Sequence, residues 1–246
     1  MKNKGVKLGL IVVLLLLIVV VGCMKSTDLA PVVNVWLQPD AKSSFYRVKS
    51  GDTIYSIAWA FGLDYRVLAA VNNLNPLYSI RPGEVLRMTI IPRGKKIIPP
   101  TRLATQTSFS RTPLKYWQPP HIARPVSSWH WPAQGRIIGR YSVRMIGNQG
   151  IDIAGRYGEP VRAAADGIVV YSGAGVRGYG NLIIVKHNES YLSAYAFNKR
   201  ILVKEGRRVR SGQKIAEMGH TDAGCVMLHF EIRRDGKPVN PLRYLS

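Results

Sequence analysis

Acidic residues are scarce in this chain of 246 residues: 14 Asp and Glu stand against 35 Lys and Arg, for a formal net charge of +21. A field of this sign favours polyanionic partners, whether nucleic acid, anionic lipid or an acidic polymer. The hydrophobic fraction of 46% is ample for folded cores. Composition alone does not choose among the three kinds of partner.

The sequence also lacks an apolar run long enough for a membrane-spanning helix. The run from Leu8 to Val21 contains one glycine, Gly9, and falls short of the roughly 20 residues that a spanning helix needs. A lysine-rich start precedes it, and Gly22 and Cys23 follow at once. A charged segment, a short apolar run and a small residue before the cut are typical of a secretory signal peptide. We therefore predict that residues 1–22 are a signal peptide, with an uncleaved anchor as the alternative.

Cysteine is nearly absent, since Cys23 and Cys225 are the only two. The segment VVGC, Val20–Cys23, resembles the bacterial lipobox, which implies that Cys23 is lipidated and becomes the mature N terminus. Met24 follows where inner-membrane lipoproteins carry Asp, which by the same resemblance implies the outer membrane, with the protein facing the periplasm. An exported chain does not meet the genome, so no nucleic acid partner is expected. No internal disulfide is expected either, and Cys225 is interpreted as a small loop residue.

Composition divides the rest of the chain into four segments. Residues 23–44 are polar and form a predicted tether. Residues 45–90 carry strand and helix patterns in the order β-α-α-β, which predicts a small α+β module. Residues 91–128 are rich in proline and are predicted to be a largely extended linker. Residues 129–246 consist of short β-rich segments between glycines, with no long helical pattern, and predict an all-β domain.

The α+β segment carries a specific set of motifs: a Y-x-V-x-x-G-D-T opening, N-N-L after the second helix and a P-G-x-x-L exit. This set resembles a LysM module, which implies binding of the N-acetylglucosamine-containing glycan of peptidoglycan in a shallow groove between two loops. Asp52 and Thr53 also stand where a helix N-cap is expected. The glycan-binding residues that the resemblance implies lie four on each loop: Gly51, Asp52, Thr53, Ile54, Leu77, Tyr78, Ser79 and Ile80.

Histidine is scarce as well, with five in the whole chain. A catalytic zinc needs three protein ligands, mostly His with a carboxylate, and hydrolysis also needs a group that moves a proton. His187 ends a strand pattern and is predicted to lie at the surface. On the last long strand, alternation places Met227, His229 and Glu231 on one face, which is the more polar one.

The second domain contains GIDIAGRYGEP, GYGNLIIVKH, SGQKIAEMG and LHFEIR, which together resemble the lysostaphin/LytM-type peptidase fold of the duplicated hybrid motif kind. The resemblance implies that active members hold zinc with the His and Asp of H-x-x-x-D and the second His of H-x-H. Position by position, the first zinc histidine falls on Asn148 and the aspartate on Asp152. The H-x-H pair falls on Met227 and His229, and a further active-site histidine falls on Phe197. The resemblance therefore implies a degenerate site with no catalytic residue, no metal and no cofactor.

The combination of lipobox, single LysM module, proline-rich linker and degenerate LytM domain resembles the murein hydrolase activator NlpD family. This implies a non-catalytic lipoprotein that activates a periplasmic N-acetylmuramoyl-L-alanine amidase for septal peptidoglycan splitting and daughter-cell separation. The alternatives are a zinc-dependent peptidoglycan endopeptidase with rearranged ligands, such as His220 or Cys225, and a purely structural wall-binding lipoprotein. The residues expected to line the amidase-binding groove are Asn148, Asp152, Phe197, Met227 and His229.

Overall fold

The computed structural model describes residues 44–75, 77–88, 125–144 and 147–246. The predicted signal peptide, Cys23, nearly all of the tether and most of the predicted linker lie outside the described residues. Within these ranges, no single helix is long and apolar enough to cross a membrane. The helices Ile54–Ala60 and Tyr65–Val71 meet that criterion only together, as a pair bent by 110°.

The first domain is a β-α-α-β module in the predicted order. Its elements are β1 (Phe45–Arg47), α1 (Ile54–Ala60), α2 (Tyr65–Val71) and β2 (Val85–Arg87). The two strands pair antiparallel, with Tyr46 opposite Leu86. The pattern in the sequence therefore gave the elements of this module correctly.

Thr53 and Asp52 have local structural roles in this module. Thr53 is the N-cap of α1, and its hydroxyl accepts from the amide of Ser56 at 3.1 Å while the hydroxyl of Ser56 accepts from the amide of Thr53 at 3.0 Å. This reciprocal pair is a capping box, which satisfies two otherwise orphan donors. Asp52 instead closes the preceding loop, because its carboxylate accepts from Tyr46 Oη at 2.9 Å and from the amide of Lys49 at 2.8 Å.

The second domain is a sheet of ten short strands, in agreement with the predicted strand-rich class. Along its main path the strand order is β3-β4-β11-β8-β7-β6-β9, while β10 joins β5 to β8, and β12 pairs with β11. The strands are β3 (Ile137–Gly139), β4 (Ile151–Ala154), β5 (Pro160–Arg162), β6 (Gly167–Gly173), β7 (Asn181–Lys186), β8 (Tyr191–Ile201), β9 (Arg208–Val209), β10 (Lys214–Met218), β11 (Met227–Arg234) and β12 (Lys237–Val239).

The two faces of this sheet pack against different partners. One face contributes Ile183, Tyr195 and Phe230 to the core of the second domain. Residues that alternate with these, such as Ile184, Ala194 and Met227, belong to an apolar cluster that also contains Trp59, Tyr65 and Leu68 of the LysM module. The LysM module therefore packs on one face of the sheet. Packing on both sides explains why every residue of α1 from Ile54 to Trp59 is buried.

His187 is buried at 2% exposure, so the prediction of a surface position was wrong. Its Nδ1 lies 2.7 Å from the carbonyl oxygen of Asp166, and its Nε2 lies 2.7 Å from Ser193 Oγ. The ring of Trp129 packs edge-on against it, with centroids 4.7 Å apart. The strand pattern around His187 could not show that Trp129 buries it, because Trp129 stands at the start of the domain, 58 residues earlier in the sequence.

The environment of His187 predicts a loss of stability in acid. Burial lowers the pKa of His187 from 6.5 to about 4, against the opposing effect of the Asp166 carbonyl. Its contribution to stability is therefore complete above pH 6.5 and is lost as the pH falls toward 4, because only the unfolded state takes up the proton. Between pH 7 and pH 4.5 we expect this group to lower the free energy of unfolding by about 2 kcal/mol.

Urea titrations of the wild type and of His187→Gln at both pH values test this. The glutamine can donate and accept in the same place but does not titrate. Wild type should lose about 2 kcal/mol more than the variant on acidification. Equal losses in the two proteins would show that a group other than His187 causes the loss of stability in acid.

Candidate functional site

Four of the five residues predicted to form the groove come from three strands that the sheet places side by side, and Asn148 lies just before β4. Asp152 on β4 is the register partner of His229 on β11. On the other side of β11, His229 pairs with Ala196 of β8, and Phe197 follows it. The topology thus brings together residues that are 77 positions apart in the chain.

Asn148 presents its amide nitrogen to the site. The backbone N–H of Gly150 donates to Asn148 Oδ1 at 2.9 Å, which fixes the orientation of the side-chain amide. The amide nitrogen of Asn148 consequently donates to Asp152 Oδ2 at 2.6 Å. Position 148, to which the sequence resemblance assigns a zinc-binding histidine, therefore presents an N–H donor to Asp152.

Four charged residues form a buried polar chain across the sheet face: Asp152, His229, Glu231 and Arg233. His229 Nδ1 lies 2.6 Å from Asp152 Oδ1, and its Nε2 lies 3.1 Å from Glu231 Oε1. Arg233 Nε donates to the other oxygen of Glu231 at 3.0 Å. Each of the four is at most 5% exposed. Buried charges are tolerated when each is paired and hydrogen-bonded, as they are here.

The polar chain holds its members in alternating charge states. Burial by itself would lower the pKa of His229, but hydrogen bonds to Asp152 and Glu231 outweigh it and raise the pKa to about 9. Burial would raise the pKa of Glu231, but the charge of Arg233 and the hydrogen bond to His229 lower it to about 2. At neutral pH the two carboxylates therefore favour the charged imidazolium form of His229.

The fold implies a zinc site, and the residues present do not fit one. A catalytic zinc takes three protein ligands, whereas the site offers the carboxylate of Asp152 and the imidazole of His229, and Asn148 turns an N–H toward Asp152. In the described part of the chain, no group of three or more His, Cys, Asp and Glu residues is arranged to hold a metal. His220, a possible replacement, is stacked on Tyr157 with ring centroids 5.9 Å apart.

Phe197 and Met227 close the site. The ring of Phe197 lies 6.3 Å from that of His229, centroid to centroid. Phe197 has φ +61°, a left-handed conformation that is rare for a bulky residue and costs energy. Its backbone is held by Tyr179 and Gly219, each through a hydrogen bond of 2.9 Å. Since Phe197 is 8% and Met227 4% exposed, the predicted groove residues do lie together, but they are buried.

The accessible part of the site is a rim that the sequence pattern did not indicate. Tyr157 is 54% exposed, and Val143, 89% exposed, follows Ser142, whose amide donates to the carbonyl oxygen of Asn148 at 2.8 Å. Lys199 Nζ lies 4.5 Å from the centroid of the Tyr157 ring. His220, which stacks on Tyr157, follows Gly219, whose amide donates to the carbonyl of Phe197. Tyr157 lies in a glycine turn outside any strand, so no periodicity marked it.

The predicted glycan-binding residues lie on two loops at one end of the module. Gly51 is exposed, and most of the others are half-buried. Ile54 is only 1% exposed, so its side chain belongs to the core and only its backbone is available to a glycan. Tyr78, with φ +51°, packs its ring against Tyr65 at 5.5 Å and against Tyr55 at 6.2 Å between centroids.

Comparison with known proteins gives two family matches, the LysM domain at residues 46–89 and peptidase family M23 at residues 147–241. The lipoprotein NlpD/LppB homolog of Pseudomonas aeruginosa is 44% identical over 229 residues, covering 82% of this chain and 77% of that protein. The murein hydrolase activator NlpD of Escherichia coli is 39% identical over 256 residues, covering 82% and 68%. The uncharacterized lipoprotein YgeR of Escherichia coli is 40% identical over 245 residues, covering 97% and 92%.

Proposed function

Because this chain belongs to the NlpD family, with its LysM domain and its M23 domain, we propose that it activates a cell-wall amidase without being a hydrolase itself. The enzyme it activates is a periplasmic N-acetylmuramoyl-L-alanine amidase, and the process is septal peptidoglycan splitting during daughter-cell separation. The chain is held at the outer membrane, facing the periplasm, by a lipid on Cys23. The LysM module binds peptidoglycan.

The observation that carries the non-catalytic part of this proposal is the chemistry at positions 148, 197 and 227. Asn148 directs an N–H toward Asp152 at 2.6 Å. Phe197 and Met227 can neither accept nor return a proton during hydrolysis. Hydrolysis of a peptide bond needs both an activated water and a proton carrier, and these residues supply neither.

Activation follows from binding one state of the amidase in preference to another. An amidase that holds a self-blocking segment over its zinc exists in closed and open forms. A partner surface that contacts only the open form shifts the equilibrium toward it by the difference in the two binding free energies. The exposed rim beside the site, Tyr157 and Val143, is where such a contact begins.

The LysM module and the lipid keep the M23 domain close to the amidase that it contacts. Binding to glycan and to membrane confines the M23 domain to the periplasmic layer in which the amidase works. Confinement raises the effective concentration of each interaction without any new contact between the two proteins. The positive net charge of the chain, +21, also suits the acidic wall.

The direct test mixes the purified mature chain with periplasmic amidases and dye-labelled peptidoglycan. Dye should be released with amidase and activator together and remain at the background level with the activator alone. Stoichiometric zinc in the purified chain, with release of wall peptides in the absence of amidase, would overturn the proposal in favour of an endopeptidase. No stimulation of any amidase of the same organism would favour a structural wall-binding role.

A substitution at the rim locates the contact. Tyr157→Asp places a charge on the exposed part of the proposed contact, where an aromatic side chain that a partner buries contributes about 2 kcal/mol, or roughly a 30-fold change in affinity. The fold should be unaffected, since Tyr157 is 54% exposed. Stimulation at sub-saturating activator should therefore fall at least tenfold. Leu202→Asp is the matched control, because Leu202 is an exposed apolar residue of the same domain, at 42%.

A further inference from the structure

The sheet face that carries the site continues under the LysM module, and we propose that this module is a reversible cover over part of the amidase-binding surface. In this view the covered surface extends from His229 to Arg233 and Tyr179, and glycan binding to the LysM loops favours release of the cover. The inference rests on the proposed function, which it deepens by naming how access to the site is regulated.

Trp59 of helix α1 ends the buried polar chain. The guanidinium carbon of Arg233 lies 3.7 Å from the centroid of the Trp59 ring. Arg233 Nη1 also donates to the carbonyl oxygen of Trp59 at 2.8 Å. Polar contacts therefore run without a gap from Asp152 in the site to the LysM module. A partner that needs this end of the sheet face must first displace Trp59.

Polar contacts around Trp59 join the edge of the module to the second domain. Tyr65 Oη donates to Glu189 Oε2 at 3.1 Å, and Lys186 Nζ lies 5.3 Å from the centroid of the Tyr65 ring. Further out, Arg66 Nη2 lies 2.8 Å from Asp235 Oδ1. The charged groups of the second domain thus meet aromatic and basic residues of the module, which gives the docking a defined orientation.

The composition of this contact indicates a reversible interface. Beside the apolar cluster that the two domains share, Lys186, Glu231 and Arg233 lie buried on the covered face, which makes the contact more polar than the core-like interface of a permanent assembly. The Arg66–Asp235 pair is 34% and 48% exposed in its side chains and so contributes little. Tyr55 Oη, which is buried, meets no hydrogen-bond partner among the described residues. A buried hydroxyl without a partner lowers the stability of the arrangement in which it is buried.

The predicted glycan loops lie at the boundary of this contact. Ser50 and Gly51 face Tyr171 and Glu205 of the second domain across a cavity of about 580 Å³. On the other loop, Tyr78 packs on Tyr65, the residue that bonds Glu189. A glycan chain bound at the Gly51 loop therefore lies beside the second domain, and one bound at Tyr78 contacts the residue that packs on Tyr65. Glycan binding and docking on the sheet compete, which is a coupling between two sites on one chain.

The test uses the mature full-length chain and two variants that weaken docking. Arg66→Glu turns the edge pair into a repulsion with Asp235, and Trp59→Ala removes the contact with Arg233. Arg47→Glu is the matched control, because it makes the same charge change at an arginine that bonds within the module, to the carbonyl of Gly83. Opening is measured without any amidase, as faster hydrogen–deuterium exchange in residues 227–234.

We expect faster exchange in both variants, and in the wild type on addition of an N-acetylglucosamine oligomer, but not in Arg47→Glu. At sub-saturating protein, Trp59→Ala should stimulate the amidase about five- to tenfold more than wild type and Arg66→Glu by a smaller factor, because the competent fraction rises. If the wild type stimulates the amidase and an opened variant stimulates it to the same extent, the proposal of a reversible cover is wrong and the proposed function stands. If neither stimulates, both are wrong. Exchange that the oligomer leaves unchanged would overturn the coupling to glycan.

Discussion

Replacing Arg233 with methionine is expected to lower the free energy of unfolding of the second domain by about 3–5 kcal/mol. Arg233 and Glu231 are 1% and 0% exposed. Without the guanidinium, the buried chain of Asp152, His229 and Glu231 keeps two negative charges against one positive charge. Breaking one partner of a buried pair leaves an uncompensated charge, and this accounts for most of the loss. A urea titration followed by far-UV circular dichroism, which reports on the strand-rich domain, measures it.

Two further proteins separate this cause from a general loss of packing. Glu231→Gln combined with Arg233→Met restores electrical balance and should recover a substantial part of the lost stability, despite two substitutions. Arg234→Met removes the next residue of the same strand, whose side chain is 59% exposed, and should cost less than about 1 kcal/mol. A single Arg233→Met variant no less stable than Arg234→Met would contradict the proposed charge balance.

The sequence predicted the polar face of β11 because alternation is a local property. Met227, His229 and Glu231 do lie on one face, and Leu228, Phe230 and Ile232 lie in the core on the other. Alternation does not say what covers a face. The face with His229 and Glu231 was expected to border a groove, whereas the LysM module covers the Arg233 end of that face.

In the LysM module too, the local pattern predicts the element but does not show what packs on it. The capping residue Thr53 and the helical spacing of IYSIAWAF were sufficient to place α1. The helix is apolar on nearly all sides, which the small core of the module alone does not require. The excess apolar surface, and Trp59 above all, is explained by a second domain whose contact residues lie more than 100 positions further along the chain. Residues paired at such separations leave no periodic signal in one sequence.

The site residues themselves were accessible only through resemblance to a family. Five positions were named in that way, and the sheet register brings them together. Tyr157 was not found, because its exposure and its stacking on His220 depend on how a turn is folded. The burial of Phe197 and Met227 was also not visible, since both residue types occur as readily in an apolar cleft as in a core.

Replacing Gly150, which directly precedes β4, with alanine is expected to destabilise the domain by about 3 kcal/mol or more. A Cβ at this position would overlap the carbonyl oxygen of Phe230 and lie 2.8 Å from Glu231 Cγ. Backbone cannot rotate away as a side chain can, so β4 must move from β11. That movement separates Asp152 from His229, which are now 2.6 Å apart, and it disturbs the amide of Asn148 that Gly150 orients.

The measurement that distinguishes this from simple overpacking is the protonation of His229. With its pKa raised to about 9 by Asp152 and Glu231, the imidazole of the wild type is charged at pH 7.5, and nitrogen-15 NMR detects that state. In Gly150→Ala the ring should titrate nearer its ordinary value, because its carboxylate partner has moved. Gly173→Ala is the control, since the nearest atom to its Cβ is Tyr171 Oη at 3.2 Å. A Gly150→Ala protein with normal stability and a charged His229 would show that β4 does not depend on this glycine to place Asp152.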